Sequence, residues 1–123
     1  GVDLYQPEVI TASMGSFFNL PAIRMADNDT VFDWIARQRD LHPGFQVIGT
    51  TAHKQLNITQ VDFRLPTLLM IGNETEGLCR AFKEGCDLLA TIPMADTSSA
   101  SSFNVACAAT VMMYEVCRQR AQE

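Results

Sequence analysis

The chain has 123 residues, 47% of them hydrophobic and 19% charged, a length and balance suited to one globular domain with a real core. Its formal net charge of −5 at pH 7 argues against a surface built mainly to grip phosphate, although a local basic patch can coexist with an acidic total. Four cysteines, Cys79, Cys86, Cys107 and Cys117, form no C-x-x-C pair and have no metal-ligand spacing with His42 or His53. No metal site is therefore read, and reduced structural thiols in a cytoplasmic setting are expected.

The chain opens at Gly1-Val2-Asp3 without a methionine, and Asp3 and Glu8 interrupt any apolar start. No signal peptide is read, and the sequence is expected to be a piece of something longer. Residues 2–10 suit an extended or loop entry, with Pro7 limiting any helix. A helical turn is predicted within residues 11–18, then a brief strand at Leu20-Pro21-Ala22-Ile23. Asp27-Asn28-Asp29-Thr30 is a cap cluster, in which Thr30 and Asp33 approximate a capping box. Val31, Trp34, Ile35 and Gln38 recur at helical spacing up to Leu41, and Pro43-Gly44 stops the helix.

A strand follows over residues 45–50, breaking at Gly49 into a loop with Thr51 and His53, and residues 57–65 read mostly as loop. Thr67-Leu68-Leu69-Met70-Ile71 is an uninterrupted apolar strand of the kind buried on both faces. It runs into Gly72-Asn73-Glu74-Thr75-Glu76-Gly77-Leu78, followed by a short helix over residues 79–84, a stop at Gly85 and a last strand over residues 86–92. Strands alternating with helices predict an α/β fold with a mostly parallel sheet of three or four strands, in a single domain over residues 1–123.

The final third is the stretch the rest is organised around. Ile92-Pro93-Met94 ends the last strand abruptly, a hydroxyl-rich loop follows, and a helix begins at Val105. Ala108, Ala109, Met112 and Val116 make one stripe of it, while Cys107, Val111, Met113 and Tyr114 fill the other faces and no charge appears before Glu115. A helix apolar all round must be surrounded by protein. At about 14 residues the run is short of the roughly 20 that span a bilayer, so a buried helix is predicted rather than a membrane span. Ser101, Ser102 and Asn104 are suited to capping its start. A polar mouth just past a strand end is a natural ligand site.

Gly72 and Gly77 have the spacing of a phosphate loop, but Leu78-Cys79 stands where Lys and Ser/Thr are required, and Glu74 and Glu76 would repel phosphate. Glycines with carboxylates at a strand end better suit a neutral or cationic ligand, the alternative being a solvated turn. Ser13 with His53 would suggest a hydrolase, yet no G-x-S-x-G elbow is present. Arg24, Arg37, Arg39, Lys54 and Arg64 are dispersed, as on solvated faces.

Taken together and in order, Gly72-Asn73-Glu74-Thr75-Glu76-Gly77-Leu78, Ile92-Pro93-Met94 and Ser102-Phe103-Asn104-Val105 resemble the last two motifs of the SpoU-type RNA ribose methyltransferases of the SPOUT superfamily. Pro7-Glu8-Val9-Ile10-Thr11-Ala12-Ser13-Met14-Gly15-Ser16 extends the resemblance toward the N-terminus. The resemblance implies a C-terminal trefoil knot on the parallel sheet, with the N-terminal strands of the full domain missing. It implies S-adenosylmethionine held by Thr50, Thr51, Ile71, Gly72, Asn73, Glu74, Gly77, Ile92, Pro93, Met94 and Phe103. It also implies Glu74, Ser102 and Asn104 as polar participants in methyl transfer to a ribose 2′-hydroxyl of tRNA or rRNA, and a homodimer. The family's opening Asn/Arg motif has no counterpart here, Thr11 stands at a usual Arg position, and Phe103 at a usual Leu. A non-catalytic knotted binding or dimerisation module is therefore the alternative.

Overall fold

The computed structural model describes residues 5–8, 20–51, 56–72, 78–93 and 105–121, which fall into two compact units, residues 1–31 and 32–123. In the first, residues 20–25 are irregular and the strand expected at Leu20 to Ile23 is not formed. Pro21 removes a ladder donor, and no strand among the described residues pairs with this stretch. Helix α1 spans Asn28–Leu41. Its cap lies three residues earlier than expected: the Asp27 carboxylate, not Thr30, accepts hydrogen bonds, from the Thr30 N–H and hydroxyl, both at 2.8 Å. Those bonds hold the Asp27 pKa below its ordinary value. The helix stops where expected, because Gly44 takes a φ of 82°, a left-handed conformation open to glycine.

The second unit carries β1 (Gln46–Thr50), β2 (Leu56–Asn57), a 3-10 turn (Ile58–Gln60), β3 (Thr67–Met70), α2 (Arg80–Gly85), β4 (Leu88–Thr91) and α3 (Val105–Arg120). The strands form one sheet in the order β2-β4-β1-β3, and every pairing is parallel. The expected parallel α/β architecture is the one observed. Alternation along β1 points Ile48 to one face and Val47 and Gly49 to the other. Ile48 meets Ile58, Val61, Phe63, Ala90 and Met112 of α3 in the main core. On the opposite face Gly49 approaches Leu78 and Cys86, which bracket α2.

Two elements differ from expectation. The stretch read as loop at residues 57–65 holds the end of β2 and the 3-10 turn, and its Ile58, Val61 and Phe63 are core residues. A reciprocal cap nucleates the turn: Asn57 accepts from the Thr59 N–H at 3.0 Å, and Gln60 accepts from the Asn57 N–H at 3.1 Å. The second difference is α3, whose span is as predicted but whose burial is one-sided. Ala108, Met112 and Glu115 are buried, while Ala106, Cys107, Thr110, Met113, Tyr114 and Cys117 are exposed. The sheet and the 3-10 segment can cover one stripe of a helix, so the chain leaves the other apolar side open.

Candidate functional site

In a parallel sheet all carboxyl ends share one edge, and ligands of open α/β folds collect there. Here β1 lies between β3 and β4, so the residues leaving the three strands are neighbours: Thr50-Thr51 from β1, Ile71-Gly72 from β3, and Ile92-Pro93 from β4. The helices that follow β3 and β4 then pack on opposite faces of the sheet. Thr50, Thr51, Ile71, Gly72 and Ile92 are half-buried and Pro93 is exposed. None carries a charge, so this edge offers backbone N–H and carbonyl groups, hydroxyls and apolar surface. Such a set suits a ligand recognised by hydrogen bonds and apolar contact rather than by ion pairs.

Hydrogen bonds fix the edge across three strands. The Thr51 N–H donates to the Ala90 carbonyl at 3.1 Å. The Thr91 hydroxyl donates to the Thr51 carbonyl at 3.3 Å, and the Thr50 hydroxyl to the Met70 carbonyl at 3.5 Å. Thr91 was not among the residues expected from the sequence; a hydroxyl in the last strand position before Ile92-Pro93 is the signal that could have found it. Of the remaining expected site residues, Asn73, Glu74, Gly77, Met94, Ser102, Phe103 and Asn104 lie outside the described residues, as do Thr11, Ser13 and His53.

A groove of about 450 Å³ lies elsewhere, lined by Thr59, Gln60, Val61, Asp62, Arg64, Arg118 and Gln119. It sits near the amino ends of the strands, since Gln46, the first residue of β1, donates to the Asp62 carbonyl at 2.7 Å. Its arginines are already matched by carboxylates, Arg64 by Asp62 at 3.0 Å and Arg118 by Glu115 at 2.6 Å. Arg64 lowers the Asp62 pKa, and Arg118 lowers that of Glu115 against the opposing effect of burial. A groove so neutralised is a weak receptor for anions, and the strand-end edge is the better candidate site. Among the described residues, no group of His, Cys, Asp and Glu could hold a metal ion, and no helix is long and apolar enough to cross a membrane.

Similar proteins carry the same architecture. The chain is 44% identical over 118 residues to the 23S rRNA (uridine(2479)-2'-O)-methyltransferase of Streptomyces viridochromogenes, covering 96% of this chain and 40% of that protein. It is 32% identical over 114 residues to the 23S rRNA (guanosine-2'-O-)-methyltransferase RlmB of Coxiella burnetii, covering 93% of this chain and 43% of that protein. The crystal structure of the SpoU methyltransferase AviRb from Streptomyces viridochromogenes in complex with AdoMet superposes with a TM-score of 0.91 at 42% identity, covering all of this chain and 48% of AviRb. The chain thus spans less than half the length of these relatives. Residues 1–114 match the SpoU rRNA Methylase family, and the chain belongs to that family.

Proposed function

We propose that residues 1–123 form the cofactor-binding part of an S-adenosylmethionine-dependent RNA ribose 2′-O-methyltransferase domain acting on rRNA or tRNA. The observation that carries this reading is the meeting of Thr50-Thr51, Ile71-Gly72 and Ile92-Pro93 at the carboxyl ends of three adjacent parallel strands. The backbone groups, hydroxyls and apolar surface of that edge fit a cofactor with both polar and apolar parts. Backbone groups of Gly72 and Ile92 would hold its polar parts, with Thr50 and Thr51 lining the pocket, and the absence of a side chain at Gly72 would let the main chain come close. When bound, S-adenosylmethionine supplies an electrophilic methyl group.

The protein's part in such a transfer is alignment more than covalent chemistry. A ribose hydroxyl is a weak nucleophile and needs a proton acceptor at hand. In this reading Glu74, Ser102 and Asn104 position the acceptor hydroxyl and the loops around it, with Asn73, Glu74, Gly77, Met94 and Phe103 completing the cofactor pocket. In this reading the C-terminal segment is tucked through a preceding loop as a trefoil knot, a topology nearly absent from other folds. The exposed apolar side of α3 supports a homodimer, because a charge-free helical face of this kind marks an interaction surface. Free thiols at Cys79, Cys86 and Cys117 support a cytoplasmic setting.

Calorimetric titration with S-adenosylhomocysteine tests the cofactor reading, and transfer of a labelled methyl group to rRNA or tRNA tests the reaction. Saturable one-site binding is expected. A folded protein that takes up none of the probe at millimolar concentration would refute the reading, and binding without transfer would leave the non-catalytic module in its place.

A further inference from the structure

We propose that Thr91 is a positioning residue, whose hydroxyl sets the β1 loop of the site against the β4 loop. The inference rests on the cofactor reading above and deepens it. The ladder of β1 ends at Thr50, where the pairing Thr50 with Ala90 is the last. Beyond a strand end a peptide carbonyl is ordinarily free to turn toward water. Thr51 is instead held by β4 on both of its backbone groups, its N–H by the Ala90 carbonyl at 3.1 Å and its carbonyl by the Thr91 hydroxyl at 3.3 Å.

The consequence is geometric. Thr91 is the residue immediately before Ile92-Pro93, so one side chain joins the main chain of one loop to the root of another. Its backbone is also fixed from the far side, where it pairs with Asn57 of β2. The corresponding link from β1 to β3, Thr50 hydroxyl to Met70 carbonyl, is 3.5 Å long, at the limit of a useful bond. At the described strand ends, β1 is thus tied to β4 by two bonds beyond the ladder, from Ala90 and Thr91, and to β3 by the one longer contact. A pocket assembled from backbone groups depends on such registration, because main-chain donors and acceptors cannot adjust by rotating a side chain.

Thr91→Val removes the hydroxyl while keeping the β-branched shape that suits a strand, and Thr91→Ser keeps the hydroxyl. In titrations with S-adenosylhomocysteine, Thr91→Val is expected to bind roughly three- to tenfold more weakly than the unaltered chain, the scale of one hydrogen bond. Thr91→Ser should bind within about twofold of it. Amide hydrogen exchange at Thr51 reads the tie without any ligand, and should accelerate in Thr91→Val and not in Thr91→Ser. Unchanged binding and exchange in Thr91→Val would overturn the proposal, as would equal weakening in both variants, which would assign the effect to packing. If the unaltered chain fails to bind the probe, the cofactor reading falls and the positioning role with it, whatever the exchange data say of the tie itself.

Discussion

Single atoms decide the geometry beside the candidate site. A Cβ built on Gly49 would lie 2.6 Å from the Cys86 sulfur, 2.9 Å from Leu78 Cδ1 and 3.0 Å from Leu89 Cδ2. The first two are separations that real Cβ atoms essentially never show, so something must shift to admit a methyl group. Two of the three neighbours are leucine side chains of a packed region, and the third is a partly buried thiol whose pKa is raised chiefly by burial. Gly49→Ala is therefore expected to destabilise the fold by about 2 kcal/mol, the usual cost of overpacking, measured as a lower urea midpoint at unchanged slope. Because Gly49 directly precedes Thr50, the strain would reach the site edge, and Gly49→Ala,Cys86→Ala should recover part of the loss by removing the closest contact. The sequence marked Gly49 as a strand break; it is instead a strand interior where two layers come close, a distinction that requires knowing what lies across the sheet.

At the scale of elements, the last turns of α3 act as a latch on residues 61–65. Gln119 accepts from the Phe63 N–H and donates to the Val61 carbonyl, both at 2.8 Å, and Arg120 donates to the Phe63 carbonyl at 2.9 Å. Glu115, buried at 5% exposure, organises the latch by accepting from Arg118 and Gln119. Its carboxylate pKa is lowered, first by the bond from Arg118. At pH 7 the carboxylate is charged in both folded and unfolded chains, so the preference of the folded state for it is fully expressed. As pH falls below the ordinary value of 4.5 the unfolded chain takes up the proton first, and the contribution disappears once pH passes below the lowered native value. Glu115→Gln should cost about 1 kcal/mol at pH 7, no more because Arg118 is partly in water and screened. The gap between unaltered and Glu115→Gln proteins should narrow in urea titrations as pH is stepped down from 7 through 4.5 and below; a gap that does not change with pH would mean the amide fails for reasons of packing. Periodicity located α3 and the apolar strands because burial of neighbouring residues leaves a regular trace. It missed the core role of Ile58, Val61 and Phe63, which sit in a turn where no period exists and where distant Gln119 and Arg120 satisfy the backbone.

Across the whole molecule, the arrangement of strand ends was legible from ordered motifs, since Gly72, Ile92 and Pro93 stand at breaks that sequence alone can place. The sheet order that brings Thr50 between them was not, because pairing between β1 and β4 joins residues about forty positions apart through contacts that leave no local pattern. The burial of α3 was overread for a related reason. An apolar face states that water is to be excluded, and not whether the same chain does the excluding. Met113 and Tyr114, 54% and 69% exposed, lie on a face with Cys107, Thr110 and Cys117 that carries no charge. Left in water, such a face favours self-association, and a two-fold dimer buries the same patch on both copies at once. Placing a cation there leaves the inward stripe of Ala108 and Met112 untouched, so Met113→Lys,Tyr114→Lys should keep the fold and its helical content. Sedimentation velocity is expected to find a dimer for the unaltered chain and a monomer for that variant. Closing the interface would otherwise bury the added ammonium groups of both copies without partners, a desolvation costing several kcal/mol. A monomeric unaltered chain, or a variant that still dimerises, would assign the face to a different partner and withdraw the homodimer.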